Sequence, residues 1–191
     1  MATLVCFHAH PDDEAIATGG LMTLAKRDDH EVVLVLATRG EQGEPQPGVL
    51  NDGEPLWERR VVETHQAAEI MGLDRVEFLG YEDSGMIGEP TNENPLCFWQ
   101  ADVEEASQRL AKILRDVDAD VLQGTEAVDQ STIAHGKGGE GGVDAGRDGL
   151  DAQLVEDLFL RLRAWVIADF HHLHSSLFAH IDRAHHQGAH G

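Results

Sequence analysis

From residue 3 to residue 122, short runs of apolar, β-branched residues alternate with longer stretches in which apolar positions recur every three or four residues. The runs predict strands over Thr3–Phe7, Glu31–Ala37 and Arg75–Leu79, with a fourth starting at Asp120–Leu122. The longer stretches predict three helices. Asp13–Lys26 presents Ala15, Ile16, Leu21, Met22, Leu24 and Ala25 as its apolar side; Leu56–Met71 is stopped by Gly72; the third covers Ala101–Arg115. Residues 39–55, with three prolines, and residues 80–100 read as loops. Strict alternation of this kind predicts an α/β fold with a doubly wound, Rossmann-like, mainly parallel sheet. Such sheets hold ligands beyond the carboxyl ends of their strands, so the loops after the first three strands are expected to converge on one crevice.

Past Leu122 the text changes. All six prolines, all four methionines, both cysteines and the single tyrosine precede that point, while eight of the twelve histidines and half of the glycines follow it. Three regions are expected: an α/β core over 1–122, a flexible glycine-rich segment over 123–150, and a helical, histidine-rich tail over 151–191. In the tail, Ala152–Ile181 carries Leu154, Leu158, Leu162 and Trp165 on one side.

A chain of 191 residues is long enough for a real core. No apolar run approaches the roughly 20 residues of a membrane span, and the first residues lack a charged, then apolar, leader pattern. A cytoplasmic protein is expected. Cys6 and Cys97 fit neither a disulfide framework nor a paired-cysteine zinc spacing. The net charge of −21 repels phosphate backbones and anionic bilayers, which argues against nucleic acid and membrane partners. Solubility is its plain explanation, and it is compatible with a neutral sugar or a cationic ligand. Nothing in the sequence specifies an oligomer.

The chemistry concentrates in His8-Ala9-His10-Pro11-Asp12-Asp13-Glu14, directly after the first strand. A histidine and a carboxylate three residues apart can ligate one Zn²⁺, and catalytic zinc takes such mixed N/O ligands with one position left open. On this reading His10 and Asp13 are metal ligands, and Asp12, between them, is the free general base. The competing reading is an acidic helix start, in which Asp12, Asp13 and Glu14 complement the helix dipole. That accounts for the carboxylates but not for His10-Pro11. Glu14 is either such a helix-start carboxylate or a partner behind the metal ligands, and His8 a wall or supporting group. Mg²⁺ held by Asp12 and Asp13 would leave the histidine unused, and no phosphate-cradling glycine loop follows the first strand.

These seven residues resemble the first motif of the PIG-L/LmbE-type zinc deacetylases, and three further motifs follow in that family's order. Thr38-Arg39-Gly40-Glu41-Gln42-Gly43-Glu44 is similar to its second-strand loop; Arg60-Val61-Val62-Glu63 with Ala67 and Ala68 to its Arg-x-x-Glu-x-x-x-Ala helix; and Phe78–Met86 to the loop after its third strand, above all in the branch acting on mycothiol and its precursors. The resemblance covers roughly residues 3–122. It implies one Zn²⁺ per chain and hydrolysis of an acetyl amide on a small-molecule N-acetylglucosamine-type conjugate. It implies substrate contacts from Arg60 and Asp83, with Glu41 lining the mouth. Pairing of Arg60 with Glu63, turn propensity at Asp83 and solvation of Glu41 are the plainer alternatives, as packing is for Trp57 and Trp99.

The same family carries a later His-Pro-Asp-His motif whose last histidine is the third zinc ligand, and residues 123–142 contain no such sequence. His135 lies near the expected place, within Ala134-His135-Gly136-Lys137; His171, His172 and His174 form a rival cluster. A third expectation is that the last third is foreign to the family, through a frame change or recombination. Two functions therefore stay open: a zinc-dependent N-deacetylase, and a relative without catalysis that binds metal or sugar.

Overall fold

In a computed structural model the structure describes residues 1–124. Four strands, β1 (Thr3–His8), β2 (Glu31–Leu36), β3 (Arg75–Phe78) and β4 (Val121–Gly124), form one parallel sheet in the order β3-β2-β1-β4. The helices are α1 (Asp13–Ala17), α2 (Gly19–Arg27), α3 (Leu56–Met71) and α4 (Val103–Asp116). The expected α/β sheet is present. The regions proposed for 123–150 and 151–191, with His135 and the His171–His174 cluster, lie almost wholly outside the described residues.

Alternate residues of β1 and β2 feed two cores, as the period of a strand requires. Val5, Phe7, Val33 and Val35 pack with Ala106, Leu110 and Leu114 of α4. Leu4, Cys6, Val32, Leu34 and Leu36 pack with Met22 of α2, joined by partly buried Ala25 and Met71. Helix α4 opens with Asp102 accepting a hydrogen bond from Glu105 N (2.9 Å), a side-chain N-cap. Helix α3 ends at Gly72, whose φ of 73° is the left-handed stop that glycine adopts freely. Among the described residues β3 pairs on one side only, and its other edge carries an Arg75–Glu77 ion pair (2.6 Å), a charged rim that discourages further pairing.

One expectation is corrected. The helix predicted over Asp13–Lys26 is two helices broken at Thr18, whose φ of −127° ends α1 before Gly19 starts α2. The break resets the helical phase, so Ile16 (85% exposed), Leu21 and Leu24 face outward and only Met22 is fully buried. Thr18 is committed elsewhere: its hydroxyl meets His8 Nε2 (2.8 Å) and donates to the Glu14 carbonyl (3.3 Å).

Asp74 ties three elements together. It takes Lys26 Nζ from α2 (2.7 and 2.8 Å) and the backbone N–H of Val32 in β2 (2.7 Å), just ahead of β3. Burial works against its charge, but Lys26 and the Val32 N–H outweigh it and hold the carboxyl below its ordinary value of 3.8. A carboxyl lowered on folding stabilises the fold above its unfolded pKa, and the contribution fades as pH falls through the folded value. Asp74→Asn is therefore expected to cost about 1 kcal/mol at neutral pH, a modest figure because the side chain is partly solvated. Urea titrations of both proteins check this: the gap between them should close as the pH drops below about 4.

Candidate active site

The strand order reverses at β1, with β2 and β3 on one side and β4 on the other. The loops after β1, β2 and β3 meet at that carboxyl end. Gly40 is where the first two touch: its φ is 71°, and a side chain there would come within 3.3 Å of Pro11. Only glycine suits both conditions.

His10, Asp12 and Asp13 occupy the turn between β1 and α1. His10 Nδ1 lies 3.5 Å from Asp13 Oδ2, and Nε2 lies 3.4 Å from Asp83 Oδ1 in the loop after β3. The backbone N–H of His10 also donates to Asp13 Oδ2 (2.9 Å). Burial opposes a charge on His10, but the two carboxylates overcome it and raise its pKa to about 10. Both carboxyls, despite burial, are lowered by the imidazole.

Asp12 sits apart from this group. Its backbone has φ 100°, a left-handed conformation that few residues other than glycine, asparagine and aspartate accept. Two contacts hold it there. Its N–H donates to Glu14 Oε2 (2.9 Å), and its Oδ2 receives Arg60 Nη2 from α3 (2.7 Å). Arg60 also donates to the Pro11 carbonyl and pairs with Glu63 (3.0 Å). Partial desolvation raises the Asp12 carboxyl above the usual range, with Arg60 pulling it back.

Glu14 is 2% exposed, so it supports the turn rather than standing as a solvated helix-start carboxylate. His8 is wholly buried, and burial lowers it to about 4, which leaves it neutral. Glu41, expected at the mouth, accepts from Arg39 Nε (2.9 Å) and from Asp83 N (3.0 Å), which ties the loop after β2 to the loop after β3. Trp57 carries the Arg39 guanidinium over its ring at 4.5 Å. The Arg60–Asp12 contact, across 48 residues, leaves no local signal in the sequence.

The spacing of His10 and Asp13 fits a zinc ion. Two ligands at about 2.0–2.2 Å on a tetrahedral ion stand roughly 3.4 Å apart, close to the His10–Asp13 separation. Nitrogen with carboxylate oxygen is also a chemistry that zinc accepts. Among the described residues no group of three donors is assembled. Cys6 lies in the core with Leu4, Leu34 and Met22, and burial there pushes its thiol up to about 12.

Fold and site together define a doubly wound α/β protein whose strand-end loops gather an imidazole, two carboxylates beside it, and a third carboxylate held by arginine. Residues 5–145 match the family described as PIG-L, GlcNAc-PI de-N-acetylase, and the chain belongs to that family. Among its relatives is a 1D-myo-inositol 2-acetamido-2-deoxy-alpha-D-glucopyranoside deacetylase of Thermobifida fusca, 44% identical over 128 residues, or 62% of this chain and 45% of that protein. A protein of the same name from Nocardiopsis dassonvillei is 45% identical over 124 residues, covering 60% of this chain and 44% of its own. The chain thus spans less than half the length of these relatives. The N,N'-diacetylchitobiose deacetylase of Pyrococcus horikoshii superposes with a TM-score of 0.52 at 22% identity, over 85% of this chain and 49% of that one. A deacetylase of teicoplanin biosynthesis does so at 0.51 and 15%, over 66% and 58%. At such identities both speak for the fold alone. Among the described residues no helix is long and apolar enough to cross a membrane.

Proposed function

We propose that this chain is a zinc-dependent hydrolase that removes the acetyl group from an N-acetylglucosamine-type conjugate, with an N-acetylglucosaminyl inositol of the mycothiol branch as substrate. The names borne by its relatives support the substrate class. The observation that carries the chemistry is the separation of roles within one turn: His10 and Asp13 face each other at 3.5 Å, while Asp12 is held away by Glu14 and Arg60.

His10 and Asp13 would hold the ion, with His135 proposed as third ligand. Bound zinc supplies Lewis-acid polarisation of the amide carbonyl and acidifies water. Asp12 takes one proton of the attacking water and passes it to the departing amine, so that amide and water become acetic acid and the free amine. Arg60 fixes one oxygen of Asp12 and leaves the other for that proton; with Nη2 spent on Pro11 and Asp12 and one Nη1 hydrogen on Glu63, its Nε–H and second Nη1–H are the donors left for sugar hydroxyls. Asp83 and Glu41 shape the opposing loops that receive the sugar. A cytoplasmic setting is supported by Cys6 and Cys97, both buried free thiols.

A second reading, binding without catalysis, is favoured by one observation: residues 123–142 carry no His-Pro-Asp-His sequence to supply the third donor that catalytic zinc requires. Metal analysis combined with amine release from N-acetylglucosaminyl inositol separates the two. The hydrolase should carry about one zinc per chain and release amine, and His135→Ala should lose both. Tight zinc without turnover in the unaltered chain would favour the binder, and zinc content unchanged in His135→Ala would remove that residue from the ligand set.

A further inference from the structure

His10 has a second carboxylate neighbour that the ligand set does not use. Asp83 stands at the opposite edge of the ring from Asp13, with Oδ1 3.4 Å from Nε2. It is only 8% exposed, and both its oxygens are anchored: Oδ1 accepts from Gly85 N (3.0 Å) and Oδ2 from Gln42 N (3.2 Å). Its own N–H is held by Glu41. Two loops thus fix one acceptor against one edge of the imidazole. Asp13, at the other edge, accepts a single hydrogen bond among the described residues, from His10 N to Oδ2.

From this we infer that Asp83 is a positioning residue for the metal ligand: it accepts the Nε2–H of His10 and thereby presents Nδ1 to the zinc beside Asp13. The inference rests on the zinc reading above and deepens it. A ligand imidazole normally donates its second ring N–H to a carboxylate or carbonyl, which fixes tautomer and ring angle. The two carboxylates differ in what they have left to offer: both oxygens of Asp83 are tied to backbone N–H groups of the loops, whereas Asp13 keeps Oδ1 without a hydrogen bond among the described residues and can turn it to the ion.

The test uses the full chain and zinc alone. Long-range ¹H–¹⁵N spectra of the zinc-loaded protein, with His10 assigned through His10→Gln, should show Nδ1 bound to metal and Nε2 protonated. Asp83→Ala should weaken zinc binding about 10–100-fold, and Asp83→Asn, which keeps an acceptor oxygen, should recover part of the loss. A purely structural role would lower thermal stability in both variants without this graded effect on affinity. Metal on Nε2, or unaltered affinity in Asp83→Ala, overturns the inference while leaving the hydrolase reading intact. If Asp83→Ala does not fold, the wild-type spectrum and Asp83→Asn decide. A wild-type chain that takes up no zinc overturns both readings at once.

Discussion

Asp12→Asn is expected to slow amide hydrolysis by about 10²–10⁴-fold, the range that loss of a general base produces, with zinc content unchanged. The choice of asparagine matters. Position 12 has φ 100°, and asparagine tolerates left-handed backbone nearly as well as aspartate, so the turn and the His10–Asp13 pair should stay in place. The amide oxygen can still accept from Arg60, which preserves the link to α3, but it cannot take a proton from water at neutral pH. The measurement is amine release per unit zinc for both proteins, alongside the metal dissociation constant. Turnover within tenfold of the unaltered chain would exclude Asp12 as the base. A collapse in metal affinity would mean instead that position 12 is itself a ligand.

Leu110→Ala is expected to cost about 3 kcal/mol of stability, from the 2–5 kcal/mol typical of a buried leucine truncated to alanine. Leu110 is fully buried in the middle of α4, in the cluster that joins Leu114 and Ala106 to Val5, Phe7, Val33 and Val35. Truncation removes three heavy atoms from a site enclosed by β-sheet on one side and its own helix on the other, so little can collapse into the space. Against a total of about 5–15 kcal/mol for a domain, that loss is severe. Urea unfolding of the two proteins gives the number directly. A difference below about 1 kcal/mol would mean that α4 is not seated on β1 and β2 as described.

Much of the fold was readable because its determinants are local. Runs such as Glu31–Leu36 are apolar after their first residue and rich in β-branched valine, which is what a strand covered on both faces needs, and Gly72 marks the end of α3 by backbone geometry alone. The break at Thr18 has only a faint sign in the sequence, since Thr18-Gly19-Gly20 is a weak point in any helix; what exploits it is the buried His8 side chain reaching Thr18 from β1. The convergence of the strand-end loops followed from topology, and the structure brings His10, Asp13 and Asp83 together there. The supporting contacts were opaque for a plain reason. Arg60 to Asp12 spans 48 residues and Asp83 to Gln42 spans 41, and no periodicity or spacing encodes which surface side chain will fold back on which loop.

The placement of β1 has a consequence for how the molecule is made. β1 lies in the interior of the sheet, flanked by β2 and β4, and Thr3 N donates to Asp120, 117 residues later in the chain. At ribosomal speeds of about 5–20 residues per second, the flank of β1 that awaits β4 stays unpaired for roughly ten seconds after it emerges. Nascent chains in that interval present a bare apolar edge, Leu4 to Phe7, to every other chain nearby. Overexpression should therefore lose material to strand-to-strand association during synthesis, and slower induction at low temperature or added holdase chaperone is the remedy this topology recommends.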